Sequence, residues 1–538
     1  MTRPQAQTLG PFLGGLNLAA DSKFMADDEL MECINFEVDI DGSLMSRPAI
    51  TETVNNESWG FERFIPIGRV NFTTGGDYLI VSSPQGTHAF DGTDFTFIYG
   101  GQSRVAVQYL DNVYIVSVPG EADNGGRWDG TTWTEDASMP RGEAAFFHKS
   151  RMFVLPGRTA TTNPSRLIFS DVITSTTLSW PATNNIDIQP GDGDNLVDAV
   201  VYNDNIVLFK ENSIYLLAYD IRPTDAVLRQ VITGIGVNYP HCVDTYENSV
   251  FFLHEGKVWE MANYEFTHVN QKVPFVLDET IPSSTDVGFG SELAGAFLDP
   301  VWLRKMGDRL LVGFHNKRYA YNLLTRTWGE WQMENNNAQA FGPPMEIIKS
   351  VNTNEAVKYY CATAMLNWGE FYYFTDKYVA GTRDASGSDS GSSGVVYSNI
   401  ICSIRTKEYT FDIPLTWKRL MWWGVSALTG TTISTLALPN RGLEDNDLWE
   451  DVALYNWDEL DGTWENMLGE LKVNDVQTGV TGYAGSKFYK FLKSLRFRSI
   501  SFKVTIDNDG TTPGGPCRIM DMTAIVGIKQ VVGKDMNA

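Results

Sequence analysis

Six histidines, His88, His148, His241, His254, His268 and His315, are the residues best suited to acid–base or metal chemistry. None stands in an HExxH or HxH spacing, so no pair shares one face of a helix or strand as a zinc site needs. No GxSxG, Walker A or GxGxxG run sits between a strand and a helix, which removes the common frames for nucleophilic and nucleotide chemistry. Three acidic loops have the look of cation sites: Asp39 and Asp41 in DIDG, Asp187, Asp192 and Asp194 in NIDIQPGDGDN, and Asp507 and Asp509 in DNDG. An EF-hand loop needs further oxygen ligands and a Glu at its twelfth position, and none of the three supplies them. They read better as Asx turns at hairpin tips. In TWKRLMWWG, Lys418 and Arg419 alternate with Trp417, Trp422 and Trp423, a mixture that stacks and clamps single-stranded nucleic acid in other settings. A strand with a basic edge has the same pattern and is the better reading. With 66 acidic residues some carboxylates must pair by chance, so pairing alone does not indicate glycoside hydrolysis. No catalytic, cofactor-binding or metal-binding residue is assigned, no cofactor is expected, and the chain is expected not to be an enzyme.

The elements that carry these residues are strands. The 538 residues hold 29 Phe, 22 Tyr and 15 Trp, which favour pleated, half-buried surfaces, and 48 Gly and 22 Pro, which suit many turns. A net charge of −24 argues against a wrapped nucleic-acid ligand, since phosphate binding needs a basic face. Cys33, Cys242, Cys361, Cys402 and Cys517 are odd in number and lack a CxxC spacing. They are expected to be reduced and mostly buried, with neither a disulfide framework nor a zinc site. No apolar run of membrane-spanning length occurs, and the amino terminus has no signal-peptide core.

Between about 60 and 380 one pattern recurs: a polar pair, a strand, a turn and a second strand. The starts are GDYLIVSS, DNVYIVSV, KSRMFVLP, NDNIVLFK, ENSVFFLH, GDRLLVGF and WGEFYYFT. Units of this length, each too small to bury its own faces, point to a β-propeller, with a series of β-sandwiches as the rival. The expected organisation is an N-terminal arm over 1–55, a propeller-like body over 56–380, a Gly/Ser/Asp-rich flexible linker or loop over 381–394, and a sandwich-like all-β domain over 395–538. Within the arm, Leu30, Met31 and Ile34 fall at helical spacing, which predicts one short helix from Ala26 to Asn35. The acidic, Trp-rich stretch over 440–470 reads as a surface loop.

Two stretches carry a family resemblance. The first holds Phe12, Gly14, Gly15, Leu16, Asn17, Asp27, Asp28, Asn35, Asp41, Gly42, Arg47 and Pro48. The second holds Arg166, Ser170, Trp180, the GDGD of 191–194, Phe209, Lys210 and Ser213 to Tyr215. With FDIPLTWKRL near the C-terminal domain, they resemble the tail nozzle, or tail tubular protein B type, of short-tailed bacteriophages. The resemblance implies a propeller-bearing virion protein, assembled in the host cytoplasm as a homo-hexameric ring below the portal and adaptor. Its partners would be the adaptor or head–tail connector, tail fibres or spikes, and double-stranded DNA in transit. A receptor- or glycan-binding tail propeller, and less so a glycan hydrolase, are the alternatives. If a ring forms, its lumen is expected to be acidic, with Glu444 to Asp461 the leading candidates.

Overall fold

In the computed structural model, residues are described over most of 5–275 and 301–332 and in the strands between 345 and 528; the main segments outside it are 1–4, 55–64, 276–300, 333–344, 348–357, 441–473, 478–486, 509–516 and 529–538. The described residues are almost entirely strand, and a 3₁₀ turn at Pro223–Asp225 is their one helical element.

Each recurrent unit is a four-stranded antiparallel sheet, and seven of them form a propeller. Blade 1 comprises Ile65–Phe72, Gly76–Ser83, Gly86–Phe90 and Phe95–Tyr99, and blade 2 Ser103–Tyr109, Asn112–Ser117, Gly126–Trp128 and Trp133–Glu135. Blades 3 to 6 begin at Ala144–His148, Leu196–Tyr202, Val243–Tyr246 and Val301–Met306. Blade 7 is Met345–Ile347, Lys358–Thr363 and Glu370–Thr375, completed by Ile50–Val54 from the amino-terminal region. The first strand of every blade lies against the first strand of the next, and that of blade 7 returns to that of blade 1. First strands are therefore innermost, and the circle is closed by chain from before its own start.

The apolar runs of the recurrent pattern are the second strands of blades 1 to 6, while WGEFYYFT forms the third strand of blade 7, Glu370–Thr375. Asn112–Ser117, Asn205–Lys210 and Ser249–His254 are buried at every position but the first. Such a strand packs neighbouring blades on both faces, which is why it reads as a continuous apolar run rather than an alternation. The polar pairs make the turn before it. Lys149 and Ser150, and Asn203 and Asp204, are left-handed at both central positions, the geometry of tight two-residue hairpins.

Those turns also tie one blade to the next. The last inner-strand residue, or the one after it, reaches the following blade's turn in five successive blades. Thr73 N–H donates to Asp111 at 2.9 Å, the Tyr109 hydroxyl to Ser150 Oγ at 3.1 Å, and the Tyr202 hydroxyl to the Asn248 carbonyl at 2.9 Å. His148 Nε2 lies 3.2 Å from Asp204, and the Tyr246 hydroxyl donates to Asp308 at 3.3 Å. The polar pairs are thus explained twice, by turn conformation and by interblade bonding.

The C-terminal unit is a two-sheet sandwich. One sheet centres on Arg518–Ile528 and Lys418–Leu428, joined by Lys487–Phe491, Leu495–Phe497 and three amino-terminal strands, Gln5–Leu9, Phe36–Val38 and Leu44–Ser46. The other holds Ile400–Thr406, Ser499–Asn508, Thr432–Asn440 and Asn474–Gln477. Trp423 and Phe502 meet between the sheets with ring centroids 4.7 Å apart. The second sheet runs on through Glu29–Ile34 to the outer edge of blade 6, at Thr327–Trp331.

Three expectations are corrected. Ala26 to Asn35 is not a helix: Glu29–Ile34 is a strand paired to Ile400–Thr406 across a bulge. The open edges of blade 6 and of the sandwich offer its backbone partners on both sides, and this outweighs local spacing. Residues 1–55 are not an arm separate from the two units, because their strands complete blade 7 and both sheets of the sandwich, burying Leu9, Phe12, Leu30 and Phe36. The linker over 381–394 is not wholly irregular, since Asp384–Ser388 pairs with Val395–Ser398. Of the stretch over 440–470, residues 441–470, Glu444 to Asp461 among them, lie outside the described residues.

Candidate functional site

Inner strands of a propeller bring charged residues to one rim of the ring. Here they are Arg104 on Ser103–Tyr109, Glu143 just ahead of Ala144–His148, Asp198 on Leu196–Tyr202, His241 and Asp244 at the start of blade 5, and Arg304 on Val301–Met306. Arg304 Nη2 donates to His241 Nδ1 at 2.7 Å, and Nη1 donates to the Val243 carbonyl at 3.2 Å. Burial first, then the positive charges of Arg304 and Arg104, push the His241 imidazole well below its ordinary pKa. It is therefore neutral, with its proton on Nε2 because Nδ1 accepts. Burial raises Asp198 to about 6, against hydrogen bonds from the Ala199 and His241 backbones and the pull of Arg304. Asp244 accepts the Thr245 and Lys305 N–H groups at 2.7 and 2.8 Å. Arg104 and Glu143 face each other at 4.0 Å.

Chemically this is a set of donors and acceptors, with no nucleophile beside a base among the described residues. Asp198 reaches from blade 4 to blade 5, and Asp244 and Arg304 join blade 5 to blade 6, so much of its bonding capacity is spent between blades. Sequence spacing could not assemble it, because its members come from five different repeats.

The second concentration of buried charge lies where the propeller meets the sandwich. Asn35, with φ of 57°, donates Nδ2 to the Ile401 carbonyl at 2.8 Å and N–H to the Glu330 carbonyl at 2.8 Å. Its own Oδ1 accepts Arg47 Nε and Gln332 N–H, both at 2.8 Å. Arg47 is 1% exposed; it donates to the Pro48 and Gln332 carbonyls at 2.9 and 3.0 Å and lies over the Trp331 ring. Glu37 pairs with Arg309 of blade 6 at 2.6 Å. Gly15, at φ +64°, is held so close that a Cβ would come 2.8 Å from Thr327 of blade 6.

The acidic loops hold side chains of the protein itself. Asp39 and Asp41 accept Arg518 Nη2 at 2.8 and 2.7 Å, while Ser43 Oγ accepts its Nε at 2.6 Å. Hydrogen bonds from Ser43, and then Arg518, keep Asp41 below the usual carboxylate range. Asp192 pairs with the buried Lys210 at 2.7 Å, Asp194 accepts the Asn212 N–H and the Ser213 hydroxyl, and Asp187 pairs with Arg166 at 2.7 Å. A guanidinium or ammonium thus occupies the place a cation would take, a role the partners' sequence positions did not signal. Asp507 is paired within a strand of the sandwich, and Asp509 lies outside the described residues. Among the described residues no group of three or more His, Cys, Asp or Glu is placed to hold a metal ion.

Of the basic and aromatic run at TWKRLMWWG, Lys418 and Trp423 are buried, and the side chains of Trp417, Arg419 and Trp422 lie outside the described residues. His88, His148 and His254 are buried, and burial lowers all three, His88 to about 4. His268 bonds Asn270 at 2.8 Å, and His315 lies outside the described residues. No helix among the described residues is long and apolar enough to cross a membrane.

No family model matches the chain, and no curated protein matches it. Among solved structures it is similar to the extracellular domain of a hybrid two-component system from B. thetaiotaomicron, at 11% identity and a TM-score of 0.40, over 62% of this chain and 40% of that one. It is also similar to the Neurospora crassa Pan2 WD40 domain, at 10% identity and a TM-score of 0.37, over 62% of this chain and 96% of that one. A third, the amino-terminal part of BBS1 in complex with ARL6, gives 11% identity and a TM-score of 0.32, over 61% and 98% of the two chains. These values are low, and the propeller assignment rests on the seven sheets and their circular contacts.

Proposed function

We propose that this chain is a non-enzymatic structural subunit of a bacteriophage tail, forming a ring through which DNA leaves the particle. The observation that carries the reading is where the family-like residues fall. Phe12, Gly15, Asn35, Asp41, Gly42 and Arg47 make the joint between propeller and sandwich, and Arg166, Ser170, Asp192, Asp194, Lys210 and Ser213 brace blades 3 and 4. What resembles the nozzle proteins is therefore architecture, as expected if a scaffold rather than a reaction is shared. The net charge of −24 suits a conduit, because a wall with few cationic contacts does not retain a polyanion.

Negative-stain imaging of the purified full chain at high concentration tests this reading. Rings with a central hole are the expected result, whereas monomers alone would overturn it. The rim around Arg304, His241 and Asp198 favours one second reading, a propeller that binds a polar ligand. A monomer showing saturable sugar binding, lost in Arg304→Ala, would support that instead.

A further inference from the structure

The residue that follows the first strand is Lys149 in blade 3, Asn203 in blade 4, Glu247 in blade 5 and Gly307 in blade 6, all with positive φ. In blade 2 it is Leu110, with φ of 51° and 76% of its surface exposed. A bulky apolar residue is disfavoured in that conformation, and the fold does not ask for one, since the other blades turn on polar residues or glycine. The turn is pinned from both sides. Gln108 Nε2 donates to the Leu110 carbonyl at 2.8 Å, and Gln108 Oε1 accepts the Asn71 N–H of blade 1 at 2.9 Å. Val172, 46% exposed, continues the apolar surface. Its neighbour Ile173 donates N–H to the Ser150 carbonyl at 2.8 Å, and Tyr109, next to Leu110, donates to the Ser150 hydroxyl at 3.1 Å.

Carboxylates surround this patch. Asp111 adjoins Leu110, Asp171 adjoins Val172, and Asp129, in the turn after the third strand of blade 2, lies at the same end of the blade. The ammonium of Lys149 is paired with Asp204 at 3.1 Å. The complement of this patch stands elsewhere in the same chain. Although the net charge is −24, residues 487–503 hold six Lys or Arg and no Asp or Glu, interleaved with Phe, Tyr, Leu and Ile. Their first strand, Lys487–Phe491, is the last of its sheet in the sandwich and pairs with Lys418–Leu428. No strand among the described residues pairs with its other side.

We infer that the ring of the proposed function, on which this rests, is built by contact between the Leu110 patch of one copy and the Lys487–Phe491 edge of the next. The patch is apolar and acidic, and the edge is apolar and basic in sequence, so each meets its complement rather than itself. Two copies joined patch to patch would set carboxylate against carboxylate. A patch that meets a different patch makes a heterologous contact, the kind that closes into rings. A turn fixed before contact also loses little freedom on docking.

Two variants of the full chain, each altered on one face, test the contact. Leu110→Asp places at the turn a residue that tolerates the left-handed conformation, and Lys487→Glu with Lys490→Glu reverses the charge of the edge. In analytical ultracentrifugation the unaltered chain is expected to form rings and each variant to stay monomeric. An equimolar mixture of the variants should give heterodimers, because one variant keeps its patch and the other its edge. Rings from either variant would overturn the inference and leave the ring reading standing, whereas an unaltered chain that is only monomeric would sink both. A mixture that stays monomeric would mean that the two faces meet other partners, and the inference would fall. If a variant does not fold, carbodiimide coupling of rings assembled from unlabelled and isotope-labelled chain decides the matter. A mixed-isotope peptide joining Asp111 or Asp129 to Lys487 or Lys490 is expected, and coupled rings that lack it would refute the contact.

Discussion

The propeller and its joint with the sandwich are held together in opposite ways. Between blades the same kind of bond recurs around the ring, from an inner-strand end to the turn of the next blade, and each instance is a single hydrogen bond or a small cluster. At the joint nothing recurs. Asn35 and Arg47 tie blade 6, the amino-terminal strands and the sandwich through bonds that span nearly 300 positions to Gln332 and more than 360 to Ile401. A repeated tie distributes the consequences of damage, whereas a unique one concentrates them.

Arg47→Ala tests that contrast most severely. It removes a buried cation and leaves the Asn35 amide oxygen and the Gln332 and Pro48 carbonyls short of donors. A loss of about 4 kcal/mol is expected, with hydrogen exchange accelerated on both sides of the joint. Protection lost on the sandwich side alone would mean that blade 6 does not depend on it. Leu208→Ala, in the central strand of blade 4, should cost about 3 kcal/mol as a cavity between blades. Its exchange changes should be confined to blades 3 to 5, and spreading to the sandwich would erase the distinction drawn here. Tyr202→Phe deletes one interblade hydroxyl, which donates to Asn248 and accepts from Asn263, and should cost about 1 kcal/mol in a urea titration. A loss as large as that of Arg47→Ala would show that the ties are not independent.

The same contrast explains what sequence could and could not reveal. The second strands of blades 1 to 6 are legible because each is an apolar run flagged by a turn pair, a signal contained within about ten residues; in blade 7 the run so flagged, Glu370–Thr375, is the third strand. The inner strands carry polar residues such as Asp198 and Arg304, whose partners belong to a neighbouring blade, so they have no local period. Ile50–Val54 was not recognisable as part of blade 7 because its partner, Glu370–Thr375, is distant in sequence. The strand at Glu29–Ile34 has helical spacing at Leu30, Met31 and Ile34, and only the partner edges from residues 330 and 403 to 406 decide it. The carboxylates of DIDG and GDGD read as Asx turns, and Asp41 and Asp192 each accept the N–H two residues on, but spacing does not match Arg518 and Lys210 to them.

Closure of the propeller by Ile50–Val54 also imposes a timetable on synthesis. That strand leaves the ribosome first, and its partner in blade 7 follows on the order of 300 residues later. At ordinary translation speeds this is a wait of roughly 15 to 60 seconds. Gln5–Leu9 waits longer still, for Arg518–Ile528. Throughout that interval blade 1 has no neighbour on its blade 7 side, and any chain that terminates before blade 7 keeps an open ring. Synthesis through Arg518–Ile528 is therefore the event that lets Ile50–Val54 and Gln5–Leu9 both find their places.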